Sequence, residues 1–160
     1  MKKISLKKYG IVNSVIIILC VVCLLFNSLI VSQDALKIIS PNIGMAYVLN
    51  FLFGCQGELG KLGTMSGDLV FNHGQWWRLF IHIFLHVGVI HMVLNMMALI
   101  VLGKYIERKL GSIKYGLYFI GISVLDALII SLIYPNNMSA GASGGIFGVI
   151  GVAFVMKLMK

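Results

Sequence analysis

The sequence predicts an all-α polytopic membrane protein, and three observations carry that prediction. Of 160 residues, 59% are hydrophobic and only 11% charged, with a mean hydropathy of +0.99, a balance that excludes an ordinary soluble domain. Four apolar runs approach or reach the roughly 20 residues that a helix needs to cross a bilayer. The basic residues flank those runs on one side of the implied membrane. A net charge of +8 alone would suit a nucleic-acid binder. The lysines form no aromatic-interleaved patch, however, so nucleic acid is not an expected partner and the lipid bilayer is.

The first run, residues 11–31, follows Lys2, Lys3, Lys7 and Lys8 and is too long for the apolar core of a signal peptide. Ser28 to Gln33 offers no small-x-small cleavage site, so the run reads as a retained anchor. Residues 32–87 form a long loop in which Pro41, Gly44, Gly54, Gly57, Gly60, Gly63 and Gly67 interrupt short apolar patches. Segments 43–53 and 69–71 of this loop suit the membrane surface rather than a full crossing. Further spans are expected over residues 88–106, 113–134 and 142–156. The last is short and opens on glycines, which suggests shielding by neighbouring protein.

Charge orients this arrangement. With the N-terminus cytoplasmic, Lys2, Lys3, Lys7, Lys8, Lys104, Arg108, Lys109, Lys114, Lys157 and Lys160 lie inside, against Lys37, Lys61 and Arg78 outside. The outer loop balances its three cations with Asp34, Glu58 and Asp68. Ser143 then opens the fourth span on the outer side. The basic N-terminus and the lack of a transit-like segment favour a bacterial plasma membrane.

Four polar features stand out. Trp76, Trp77 and Arg78 lead into His82, His86, His91 and Asn95, two pairs at helical spacing. Gly103, Glu107 and Gly111 recur at four-residue intervals. Ser143 sits within SAGASGGIFG beside Gly141, Gly144 and Gly145. Asp126 is isolated in the third span, an expensive place for a carboxylate, with no obvious partner in the chain. The histidines lack a neighbouring cysteine or carboxylate in sequence, so no metal is expected. Of three cysteines, an odd number with Cys55, Cys20 and Cys23 lie three apart in an apolar run and read as small buried hydrophobes rather than a disulfide framework or a zinc site. Glycine pairs 141/145 and 144/148 suit close helix packing. His91, Asn95 and Ser143 reach the same membrane face. There, two side-chain donors and the Ser143 amide could stabilise negative charge on a peptide carbonyl.

Taken together, the Trp77-Arg78 entry, the His82, His86, His91 and Asn95 ladder, the Gly103, Glu107, Gly111 pattern and Gly141-Ala142-Ser143-Gly144 resemble the rhomboid intramembrane serine proteases. The resemblance implies one rhomboid-like membrane domain over residues 1–160, comprising about four of six core helices. It implies Ser143 as nucleophile and His91 and Asn95 in the oxyanion hole. Trp77, Arg78, His82, His86, Glu107, Gly141 and Gly144 would serve structure or substrate access. It implies a Ser-His dyad acting without metal or cofactor on transmembrane helices of membrane protein substrates.

The family's base histidine lies on the sixth helix, and no histidine follows His91 here. A hydroxyl needs a base to become an effective nucleophile, so the 160-residue chain alone is expected to be inactive. Three readings follow: part of an active protease, a silent rhomboid-like protein binding client transmembrane helices, or an enzyme completed by a complementing chain. Glycine-rich faces of the fourth helix are expected to meet lipid, giving a loose or self-associating bundle.

Overall fold

The computed structural model describes residues 10–35, 52 and 63–159, with side chains between 27 and 35 excepted. Segment 43–53 apart from residue 52, Cys55, Lys37, Glu58, Lys61 and the N-terminal lysines lie outside the described residues. The architecture is helical, with no strand among those residues. Helix α1 spans Ile11–Ala35, α2 Gly67–Phe71 and α3 Arg78–Ile81, which runs into a 3-10 turn at His82–Phe84. Helix α4, Val89–Ala98, continues through a π turn at Leu99–Gly103 into α5, Lys104–Leu110. Helices α6, Ser112–Ile133, and α7, Ser143–Leu158, complete the bundle.

Among the described residues two continuous helices, Val89–Leu110 and Ser112–Ile133, are long and apolar enough to cross a membrane. The first runs four residues beyond the expected end at 106, because Lys104 to Lys109 are good helix formers and nothing stops the helix before Gly111. Gly111, at φ +83°, reverses the chain directly into α6.

In α1, Asn13, Ile16, Cys20 and Leu24 recur at helical spacing and are buried, while Val15, Ile18, Val22 and Leu25 are exposed. The buried row faces a core that includes Leu99, Ile106, Tyr115, Phe119, Ile146 and Val149. Cys20 and Cys23 are both free thiols.

A polar clamp closes one end of this core. The Glu107 carboxylate, only 2% exposed, accepts the backbone amides of Val12 at 3.1 Å and Asn13 at 2.8 Å, and the Ser112 hydroxyl at 2.6 Å. It thereby caps α1 from another helix, satisfying amides that lack intrahelical partners in the first turn. Asn13 donates to the Leu99 carbonyl at 2.9 Å and accepts from the Tyr115 hydroxyl at 2.7 Å. The Leu99 carbonyl belongs to the π turn, where helix bonding is displaced by one residue. Gly103 completes the clamp by lacking a side chain: a Cβ there would collide with Asn13 Oδ1 and come within 2.8 Å of the Tyr115 hydroxyl.

The glycine face of α7 differs from expectation. Gly145 and Gly148 pack on α6 rather than facing lipid, while Gly151 stays exposed with open space around it. A Cβ at Gly145 would meet Ser123 Oγ at 2.5 Å and Phe119 at 2.8 Å, and one at Gly148 would meet Ile122 at 2.5 Å. Small residues let the two backbones approach, and the Ser123 hydroxyl inside the seam donates to its own helix at Phe119, 2.7 Å away.

Candidate active site

The site is assembled at the bundle end opposite the clamp, and Arg78 anchors its rim. Its side chain, 4% exposed, donates to Gln75 Oε1 at 2.6 Å and to the Thr64 carbonyl at 2.8 Å. The guanidinium also lies 4.7 Å from the centre of the Trp77 ring. Trp76, Trp77, Phe71 and Phe80 are exposed around it, with Phe71 and Trp76 in edge contact at 5.6 Å. This presents an aromatic belt with a buried cation behind it.

Two backbone seams then place the loop that carries Ser143. Met65 and Ser139 exchange both amide bonds, at 2.8 and 2.9 Å. Closer to the nucleophile candidate, the Gly141 amide donates to the His82 carbonyl at 2.9 Å. Ser143 is the first residue of α7 and is half-buried.

The histidine ladder converges on this loop. A Cβ at Gly141 would lie 2.8 Å from His91 Cε1 and 3.9 Å from Asn95 Nδ2. His91 and Asn95 therefore sit together against the residue two positions before Ser143. Asn95 is buried and its amide donates to the His91 carbonyl at 3.0 Å. The His86 ring lies in edge contact with that of His91 at 5.3 Å. Gly141 also has φ +138°, a conformation that residues with a side chain rarely adopt. Gly141→Ala is expected to displace His91, because both strain and the short contact fall there. The variant should also melt lower than wild type, because a side chain is strained at this φ, measurable by circular dichroism in mild detergent.

His86, in the segment preceding α4, donates from Nδ1 to the Phe84 carbonyl at 3.3 Å, leaving Nε2 buried with no hydrogen-bond partner among the described residues. Burial, joined by the nearby His91 ring, pushes its pKa down to about 4 against an opposing pull from the Phe84 carbonyl. A histidine with a depressed folded pKa binds a proton more readily when unfolded. Its cost to the fold is nil well above pH 6.5 and grows as pH falls from there toward about 4. Thermal melts taken from pH 7 to pH 4 should show falling stability, with a shallower fall in His86→Gln. His82 donates to the Arg78 carbonyl at 2.9 Å. Burial lowers its pKa too, opposed by its carbonyl contacts and by the charge of Asp126.

That last contact gives Asp126 a setting. Its carboxylate lies across the α6–α7 seam, 2.8 Å from where a Gly144 Cβ would be. Gly144 is thus needed to seat an acid beside the start of α7, where the helix dipole favours negative charge. His73 Nε2 and Asp68 Oδ2 lie 3.5 Å apart at exposed positions. Among the described residues no three histidine, cysteine or acidic side chains form a metal-holding group.

The Rhomboid domain family matches residues 73–160, more than half of the chain, including the site from Gln75 to Ser143 but not Thr64, Met65 and Phe71. The chain belongs to the rhomboid family. Similar rhomboids include RHOMBOID-like protein 1 of Arabidopsis thaliana, 37% identical over 93 residues, which are 58% of this chain and 24% of that protein. RHOMBOID-like protein 2 of the same plant is 36% identical over 100 residues, 62% of this chain and 32% of the relative. Rhomboid protease GluP of Bacillus subtilis (strain 168) is 38% identical over 100 residues, 62% of this chain and 19% of GluP. The chain thus spans about a fifth to a third of these relatives' lengths. No solved structure matches it. Membership and the apolar helices make the chain part of an integral membrane protein.

Sequence reasoning missed Asn13, Thr64, Gln75 and Tyr115. Asn13 carried a signal, being a polar residue in the buried row of an apolar helix. The carbonyl at Thr64 that receives Arg78 carried none.

Proposed function

We propose that this chain is the nucleophile-bearing part of a rhomboid-type intramembrane serine endopeptidase, which cleaves peptide bonds in or near transmembrane segments of membrane proteins. The observation that supports it best is the packing of His91 and Asn95 against Gly141, two residues before Ser143. The Ser143 hydroxyl attacks the scissile carbonyl. The resulting oxyanion is held by His91, Asn95 and the Ser143 amide, donors fixed before the charge develops. The proton passes to a histidine base that these 160 residues do not carry. The basic bundle end is cytoplasmic, and the Ser143 end opens to the outer side. Trp77, Arg78, His82 and His86 form the wall through which a substrate helix enters, and no metal or cofactor takes part.

A catalytically silent, client-binding rhomboid is the second reading. A fluorophosphonate probe separates the two. In native membranes the endogenous protein should be labelled and its Ser143→Ala variant unlabelled. The 160 residues expressed alone should give only the background of that variant. Absence of labelling in native membranes would leave the binding reading standing.

A further inference from the structure

The bundle end that carries the Glu107 clamp holds a second feature, which neither the clamp nor the protease reading uses. A cavity of about 480 Å³ opens at the α5–α6 corner, lined by Glu107, Arg108, Lys109, Gly111, Ser112 and Lys114 among others. Next to it, between α5 and α7, a cavity of about 290 Å³ is lined by Tyr105, Lys109, Met156 and Lys157. Lys109 borders both, and its ammonium lies 5.6 Å from the Tyr105 ring centre.

Three cations and one carboxylate line the larger cavity, but the carboxylate is occupied. Glu107 Oε1 accepts from the Val12 amide and the Ser112 hydroxyl and Oε2 from the Asn13 amide, so the carboxylate already has three donors of its own. Arg108, Lys109 and Lys114 present donors only. The first amides of the 22-residue helix α6 add their positive end, and Gly111 leaves open space, since a Cβ there would meet nothing within 4 Å.

The cavity does not end in solvent alone. Along α6, Ile113, Leu117 and Leu125 are 79%, 69% and 55% exposed at four- and eight-residue spacing. Gly121 occupies the missing place in that row with nothing within 4 Å of its would-be Cβ. An anion pocket thus continues into an apolar, notched row of the length and direction of an acyl chain.

We propose that the α5–α6 corner binds the phosphate of an anionic glycerophospholipid, with Arg108, Lys109 and Lys114 as its ligands and the Ile113, Leu117, Leu125 row beneath an acyl chain. A free phosphate would use the cations but gain nothing from the row. Basic pockets between membrane helices are suited to such headgroups, and a cation at the membrane surface changes anionic-lipid affinity about fivefold.

The test uses vesicles of equal parts phosphatidylcholine and phosphatidylglycerol. The chain is reconstituted and mildly extracted, and retained lipid is counted by native mass spectrometry. Wild type should retain phosphatidylglycerol selectively. Arg108→Gln/Lys109→Gln/Lys114→Gln should lose that selectivity, while Lys2→Gln/Lys3→Gln/Lys7→Gln, with equal charge loss, should keep it. Lys114→Gln alone, an exposed position, should lose about fivefold without affecting the melt in phosphatidylcholine. No selectivity in wild type, or equal loss in both triple variants, would overturn the proposal. So would displacement of the retained lipid by inorganic phosphate, which would mark a site for free anions.

Discussion

Asn95→Ala should lower turnover of a transmembrane substrate about 100- to 1000-fold in the native protein, with the melting temperature shifted far less. The removal of one preorganised oxyanion donor elsewhere has that magnitude, and Asn95 has few other duties. Its amide bonds only the His91 carbonyl one turn back, which its own helix can spare. His91→Ala should cost as much or more, because His91 also fills the space left by Gly141. The double variant should fall well short of the product of the two losses, since under the proposed mechanism both groups serve one oxyanion. Cleavage of a fluorescent single-span substrate in liposomes reads all three. Equal turnover in Asn95→Ala and wild type would remove Asn95 from the site.

Glu107→Ala should produce the largest loss of stability of any single change at the clamp, on the order of 3–5 kcal/mol. Three donors lose their acceptor at once, and two of them are backbone amides in the first turn of α1. Glu107→Gln, which retains one acceptor oxygen, should recover about half. For a chain of this size the alanine variant should melt about 10 °C lower, as followed by circular dichroism in mild detergent. A shift below about 2 °C would mean that α1 holds its place without the carboxylate.

How much of this was legible in the sequence differs by residue. The helical class follows from hydropathy, because a bilayer leaves the backbone no other way to satisfy itself short of a closed barrel. The family was legible in the spacing of Trp77, Arg78, His91, Asn95 and Ser143. The reason for the Gly103, Glu107, Gly111 pattern was not. It depends on Asn13 and on the start of α1, about 90 residues earlier, and no local spacing points there. Asp126 was equally opaque, since its neighbour Gly144 contributes only the absence of a side chain. The glycine face of α7 was misjudged for a related reason: a glycine row names a close contact without naming the helix that makes it.

The clamp also has a temporal consequence. Asn13 is synthesised 94 residues ahead of the carboxylate that receives its amide. Until Glu107 emerges, the leading turn of α1 must keep its amides hydrated, which holds that turn at the water boundary while the rest of the helix enters the bilayer. The latch closes only when the α5–α6 corner has formed. Helix α1 is therefore secured only after a corner made about 90 residues later has emerged.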